Sequence, residues 1–147
     1  MAMRLGGELR KMRGGPAITK LSKLVAACAL ASAFAFAQSS CNQQEVKRAA
    51  MSLTGGDPDR GAAAISRYGC AACHTIPGIR GADALVGPSL EHVGSRSYVG
   101  GVLPNTPDNV ILWIQNPPRI DPLTAMPNLG VTEGDARDIA GYLYTLK

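Results

Sequence analysis

Cys70-Ala71-Ala72-Cys73-His74 sets two thiols three positions apart with an imidazole directly after the second, and few folds can use that arrangement. A structural zinc site needs four ligands, and beyond this run the chain offers only Cys28, Cys41 and His92. A redox dithiol of the thioredoxin kind needs a βαβ setting, and no strand-like alternation of useful length is present. Attachment of a c-type haem asks for what is here: two thiols that reach the two vinyl groups of one porphyrin, and an imidazole beneath the iron as proximal ligand. The motif implies one haem c, held through Cys70 and Cys73, with His74 on the iron.

Such a group would also answer a packing problem. From Ile76 to Asn105 the chain carries six glycines and few large apolar residues, and so long a loop in a compact domain signals function or disorder. Both phenylalanines, Phe34 and Phe36, lie near the N-terminus, so a domain of about ninety residues has a thin core by itself. Helix signals flank the loop. Asp57 caps a run with Pro58 at its first position, continuing through Ala62, Ala63, Ala64 and Ile65 to Gly69. Thr106 and Pro107 open a second, with Val110, Ile111, Trp113 and Ile114 apolar and Pro117-Pro118 as its stop. Thr132 opens the last, where Ala136, Ile139, Ala140 and Leu143 fall on one stripe. Tyr142 and Tyr144 do not face the same way on that helix, so one is expected to pack: Tyr142, against a small face at Gly61 and Ala62. The expected fold is all-α, three or more helices with long loops wrapped around one covalent haem.

The net charge of +4 is unevenly spread. Residues 1–40 hold six of the fifteen basic residues and one acid, a net of +5, whereas the remainder is at −1. The basic excess therefore says nothing about nucleic acid, and no nucleic-acid partner is expected. A basic stretch ending at Lys23, followed by fourteen uncharged residues from Leu24 to Ala37, reads as an export signal too short for a comfortable permanent span. Cleavage could follow Ala35-Phe36-Ala37, or Ser39-Ser40-Cys41 could serve as a lipoprotein site with Cys41 as an acylated mature N-terminus; an uncleaved anchor is the third reading. Each puts the domain on the periplasmic side of a bacterial cytoplasmic membrane, free or attached. Residues 41–56 show no clear apolar period and read as a flexible tether, with the haem domain at 57–147.

A second axial ligand would decide what such a haem does. Of five methionines only Met126 lies beyond the haem motif, in Thr124-Ala125-Met126-Pro127-Asn128, where a loop past Pro117-Pro118 could cross the opposite haem face. Met126 could also be a gap-filling core residue. His92, between Leu90 and Val93, is a rival ligand that reads better as an ordinary loop histidine. With Met126 on the iron the group carries single electrons. Without it, small-ligand binding or peroxidase-like chemistry opens. No acid, base and nucleophile gather beside the motif, so no enzyme activity is expected.

From Asp57 to Lys147 the chain resembles the class I, mitochondrial-type cytochromes c. Besides the attachment motif, Gly87-Pro88-Ser89-Leu90 is similar to that family's Gly-Pro-x-Leu loop, and the resemblance implies that the Pro88 carbonyl orients His74. It also implies that Arg96 faces a haem propionate, that Trp113 lines the pocket, and that Met126 is the sixth ligand. Gly94-Ser95-Arg96, Leu103-Pro104-Asn105-Thr106 and Ala125-Met126-Pro127 narrow the likeness to cytochrome c domains that accompany bacterial haem-copper oxidases. The implied partners are redox proteins, a membrane oxidase or a cytochrome bc-type complex, and the role is either a mobile carrier or a haem-bearing piece fixed in a respiratory complex. An apolar wall of Leu85, Leu90, Val93, Leu103, Ile111, Trp113, Ile114 and Leu129 is expected to keep water from the iron.

Overall fold

Backbone donors at the start of a helix need acceptors, and in the computed structural model, which describes residues 42–147, side chains supply them. Residues 42–54 form the first helix, α1. Asp57 then accepts from the amides of Asp59 and Arg60 to open α2, Pro58–Arg67. Thr106 accepts from Asn109 to open α3, Pro107–Gln115, and Asn116 accepts from Arg119 to open the one-turn α4, Pro117–Ile120. Thr132 accepts from Asp135 to open α5, Glu133–Leu143. Between α2 and α3 lie 3-10 turns at Cys70–Ala72 and Val93–Ser95 and a small antiparallel hairpin, β1 (Tyr98–Val99) with β2 (Leu103–Pro104). The described residues are thus helix-rich with little strand.

Three expectations change. The tether expected over 41–56 is helical over 42–54 and belongs to the same compact unit as the rest, residues 42–147. Its buried positions are Ala50 and Thr54, with Val46 partly covered, so the inner face at i, i+4 and i+8 is made of small side chains that do not read as an apolar stripe. Pro117-Pro118 stops α3 but also begins α4, because proline suits a first helical turn. Tyr144 packs as well as Tyr142. It sits at the α5 C-cap with its backbone still helical and its amide on the Ala140 carbonyl, so four residues past Ala140 it extends the buried stripe, and its hydroxyl reaches Asn105.

The central crossing joins α2 and α5 at backbone distance. A Cβ on Gly61 would lie 2.0 Å from the Asp138 carbonyl oxygen and 3.0 Å from Tyr142 Cβ. Both ends of this pair are tied by charge. Arg60 donates through Nε and Nη2 to the two oxygens of buried Asp138, each at 2.8 Å, and the Asp57 amide donates to the same carboxylate at 2.7 Å. At the other end Asp135 accepts from the Tyr68 hydroxyl at 2.7 Å and from Arg67 at 2.6 Å. The hydrogen bond from Arg60 holds the Asp138 carboxyl below the ordinary aspartate range, and the Tyr68, Thr132 and Arg67 donors do the same for Asp135. A carboxyl with a depressed folded pKa contributes stability that is complete above its unfolded value and is lost as pH falls through the folded one. The domain should therefore lose stability in acid, below about pH 4. Asp138→Asn should cost about 1–3 kcal/mol at neutral pH by removing a buried acceptor's charge. Chemical denaturation of both proteins from neutral to acid pH checks this: the gap should narrow as Asp138 protonates, and a constant gap would refute the assignment.

Ile65 of α2 and Ile139 and Leu143 of α5 join Ile76, Val93, Val99, Val110, Ile111, Trp113, Ile114, Val131 and Tyr144 in one buried cluster. Cys70, Ala71, Leu90, Leu103 and Met126 border the same cluster, partly buried.

Candidate functional site

The turn after α2 carries the two thiols. Gly69 takes a left-handed conformation, φ 73°, which ends the helix and leads into the 3-10 turn Cys70–Ala72. The Cys70 carbonyl then accepts from the amides of Cys73 at 3.2 Å and His74 at 3.1 Å, so both cysteines and the histidine come from one tight turn. Both thiols are free and half-buried. Burial pushes the Cys70 thiol up, which keeps it protonated at neutral pH.

His74 is held from one side by the loop 87–90. The Gly87 amide donates to the Cys73 carbonyl at 2.7 Å and the Leu90 amide to that of Thr75 at 2.8 Å, so the loop runs alongside the motif. Between those bonds the Pro88 carbonyl meets His74 Nδ1 at 2.7 Å. A carbonyl oxygen can only accept, so Nδ1 carries a proton in this contact, and in the neutral ring Nε2 is the nitrogen that keeps its lone pair. Gly87 makes room for the ring: a Cβ there would stand 2.5 Å from Cε1 and 2.8 Å from Nδ1 of His74. The sequence marks Gly87-Pro88 as a motif, but not the glycine's part as a backbone cradle.

Arg96 lies at the end of the Val93–Ser95 turn, and its Nη2 donates to the Ser89 carbonyl at 2.5 Å and the Glu91 carbonyl at 2.8 Å. Trp113 is buried on α3 beneath the β1–β2 turn, so close that a Cβ on Gly100 would lie 2.6 Å from its ring. Met126 follows α4 in an irregular segment, partly buried, with its amide on the Thr124 hydroxyl at 3.2 Å. His92 is exposed, at φ 54°, and forms the cap of the 3-10 turn. Of the expected apolar wall, Val93, Ile111, Trp113 and Ile114 are buried and Leu90 and Leu103 partly so, but Leu85 is 87% exposed and Leu129 40%. Asn105 went unassigned in the sequence; its Nδ2 donates to the Val93 and Arg96 carbonyls, 2.8 Å each.

The donor set is one that haem c attachment could use. Two neighbouring free thiols, an imidazole with a free Nε2 and a backbone cradle shaped to its ring are what attachment and proximal ligation require. Among the described residues no three His, Cys, Asp or Glu side chains gather as a metal site. Nor is any described helix long and apolar enough to cross a membrane.

No family model matches the chain, and no solved structure matches it. Over 90 residues it is 28% identical to cytochrome c oxidase subunit 2 of Alkalihalophilus pseudofirmus, a stretch that makes up 60% of this chain and 25% of that protein. The chain is thus similar to part of an oxidase subunit, and spans a quarter of that relative's length.

Proposed function

We propose that this protein is a single-electron carrier of a respiratory chain, holding one haem c through Cys70 and Cys73 with His74 and Met126 as the side chains that would ligate its iron, and passing electrons to or within a terminal oxidase. The observation that carries the reading is the 2.7 Å contact between His74 Nδ1 and the Pro88 carbonyl. It leaves Nε2 as the free donor, points the ring, and raises its basicity, which is what an axial imidazole needs from its surroundings. The fold that goes with this reading is the small all-α cytochrome c fold.

When bound, the haem supplies the ferric–ferrous couple. The chain's part is to hold that couple and tune it. Cys70 and Cys73 fix the macrocycle to the turn after α2. Met126 offers a soft thioether that would favour the ferrous form of such a group, and two protein ligands would hold it in either state. Trp113, Val93, Ile111 and Ile114 keep water away on the core side, which raises the potential further. Docking of this kind is weak and transient. The similarity to an oxidase subunit supports a membrane oxidase as partner, with a cytochrome bc-type complex as the other candidate; the leader read at 1–40 supports work on the periplasmic side, with or without an N-terminal lipid or anchor.

The test is the optical spectrum of the purified protein, oxidised and reduced. Methionine on ferric haem gives a weak near-infrared band, which should be present and should vanish in Met126→Ala. A high-spin ferric spectrum with carbon monoxide binding in the unaltered protein would reject the carrier and leave a ligand-binding or peroxidase-like haem protein.

A further inference from the structure

We infer that Arg96 is a positioning residue for His74: through the Ser89 and Glu91 carbonyls it clamps the loop whose Pro88 carbonyl fixes the imidazole. This rests on reading His74 as the iron ligand. Pro88 has no amide hydrogen, so it cannot anchor its own position by donating a backbone bond. The peptide group that points its oxygen at His74 is followed at once by Ser89, whose carbonyl, with that of Glu91, converges on Arg96 Nη2 at 2.5 and 2.8 Å. One planar cation thus bridges two carbonyls on either side of Leu90, and the Leu90 amide is already on Thr75.

Arg96 is itself held. Its amide donates to the Val93 carbonyl at 3.3 Å, and its own carbonyl accepts from Asn105 Nδ2 at 2.8 Å. Asn105 also takes the Ser97 carbonyl with its amide at 2.9 Å and receives the Tyr144 hydroxyl on its Oδ1 at 3.2 Å. A continuous series of hydrogen bonds therefore runs from the end of α5 through Asn105 and Arg96 to the loop that orients His74. An arginine placed only to meet a haem propionate would not need its guanidinium aimed at Ser89 and Glu91.

Arg96→Lys separates the two roles, because it keeps the charge while its ammonium falls one bond short of the place Nη2 occupies. The readouts are solvent exchange of the His74 Nδ1 hydrogen in the reduced haem-loaded protein, by nuclear magnetic resonance, and the reduction potential. A clamp predicts exchange about tenfold faster or more in Arg96→Lys and in Arg96→Gln. It also predicts a higher potential in both, since a looser bond to Pro88 makes the imidazole less basic and favours the ferrous form. A propionate partner predicts no change in Arg96→Lys and a lower potential in Arg96→Gln, where a cation near the haem is lost. Unchanged exchange in both variants overturns the inference. If the purified protein carries no haem, the electron-carrier reading fails by itself; the nitrogen shifts of the His74 ring in the haem-free chain then decide the clamp, which requires the Nδ1-protonated form to give way in Arg96→Lys.

Discussion

Gly61→Ala should unfold this domain at markedly lower temperature, although alanine is the better helix former by about 1 kcal/mol. The added Cβ would lie 2.0 Å from the Asp138 carbonyl oxygen, a backbone atom on the facing helix that no rotamer change can move. Helices α2 and α5 would have to separate, loosening the buried cluster that holds Ile65, Ile139 and Ala140 and lengthening the bonds from Arg60 to Asp138. Overpacking of this kind costs about 1–3 kcal/mol when side chains can adapt, and more here because they cannot. With about 3 kcal/mol as a floor, the melting temperature should fall by about 12 °C or more in a domain of this size. Gly134→Ala is the matching control. That glycine sits in α5 with nothing within 4 Å of its would-be Cβ, so the same change there should stabilise by about 0.5–1 kcal/mol. Thermal melts of the two variants check both signs at once, and equal melting temperatures would mean that α2 and α5 do not cross at Gly61.

Two helices were legible where a cap and a proline stood together, although the same pairing at Asn116-Pro117 reads as a stop and opens α4 instead. Asp57-Pro58 and Thr106-Pro107 are local signals, and each opens the helix it announces. α1 was not legible, because burial of Ala50 and Thr54 follows from what they pack against and not from their own hydrophobicity. The same holds for Asp138, which lies beside the apolar stripe of α5 and is buried only because Arg60 and the Asp57 amide meet its carboxylate, partners no local pattern announces. At the site, the motif names Cys70, Cys73 and His74 by spacing alone. Pro88 could be named only by resemblance, since a carbonyl's direction is a property of the loop. Gly87 and Asn105 could not be named for their parts at all, because those parts consist of close approach and backbone contact between segments far apart in sequence.

Gly87→Ala should damage the site while sparing the fold, and that contrast makes it the sharper test of the His74 geometry. The new Cβ would meet Cε1 at 2.5 Å, Nδ1 at 2.8 Å and Nε2 at 3.1 Å, all of them atoms at the end of a rotatable side chain. The cheapest response is for the imidazole to swing away, giving up its 2.7 Å bond to the Pro88 carbonyl. In the haem-free chain that response costs little, and stability should change by less than about 1 kcal/mol. If His74 ligates haem iron as proposed, the loaded protein holds it at both ends, and the clash falls on that bond. The low-spin ferric spectrum should give way in large part to a high-spin one, and carbon monoxide, excluded from a six-coordinate carrier, should bind the reduced form. Val86→Ala next door is the control: Val86 is 82% exposed and its truncation should leave the spectrum unchanged. An unaltered spectrum in Gly87→Ala, with the same His74 ring nitrogen shifts as the parent, would mean that the imidazole does not lie against this loop. The reading of Pro88 as its partner, and of Arg96 as the clamp behind Pro88, would fall with it.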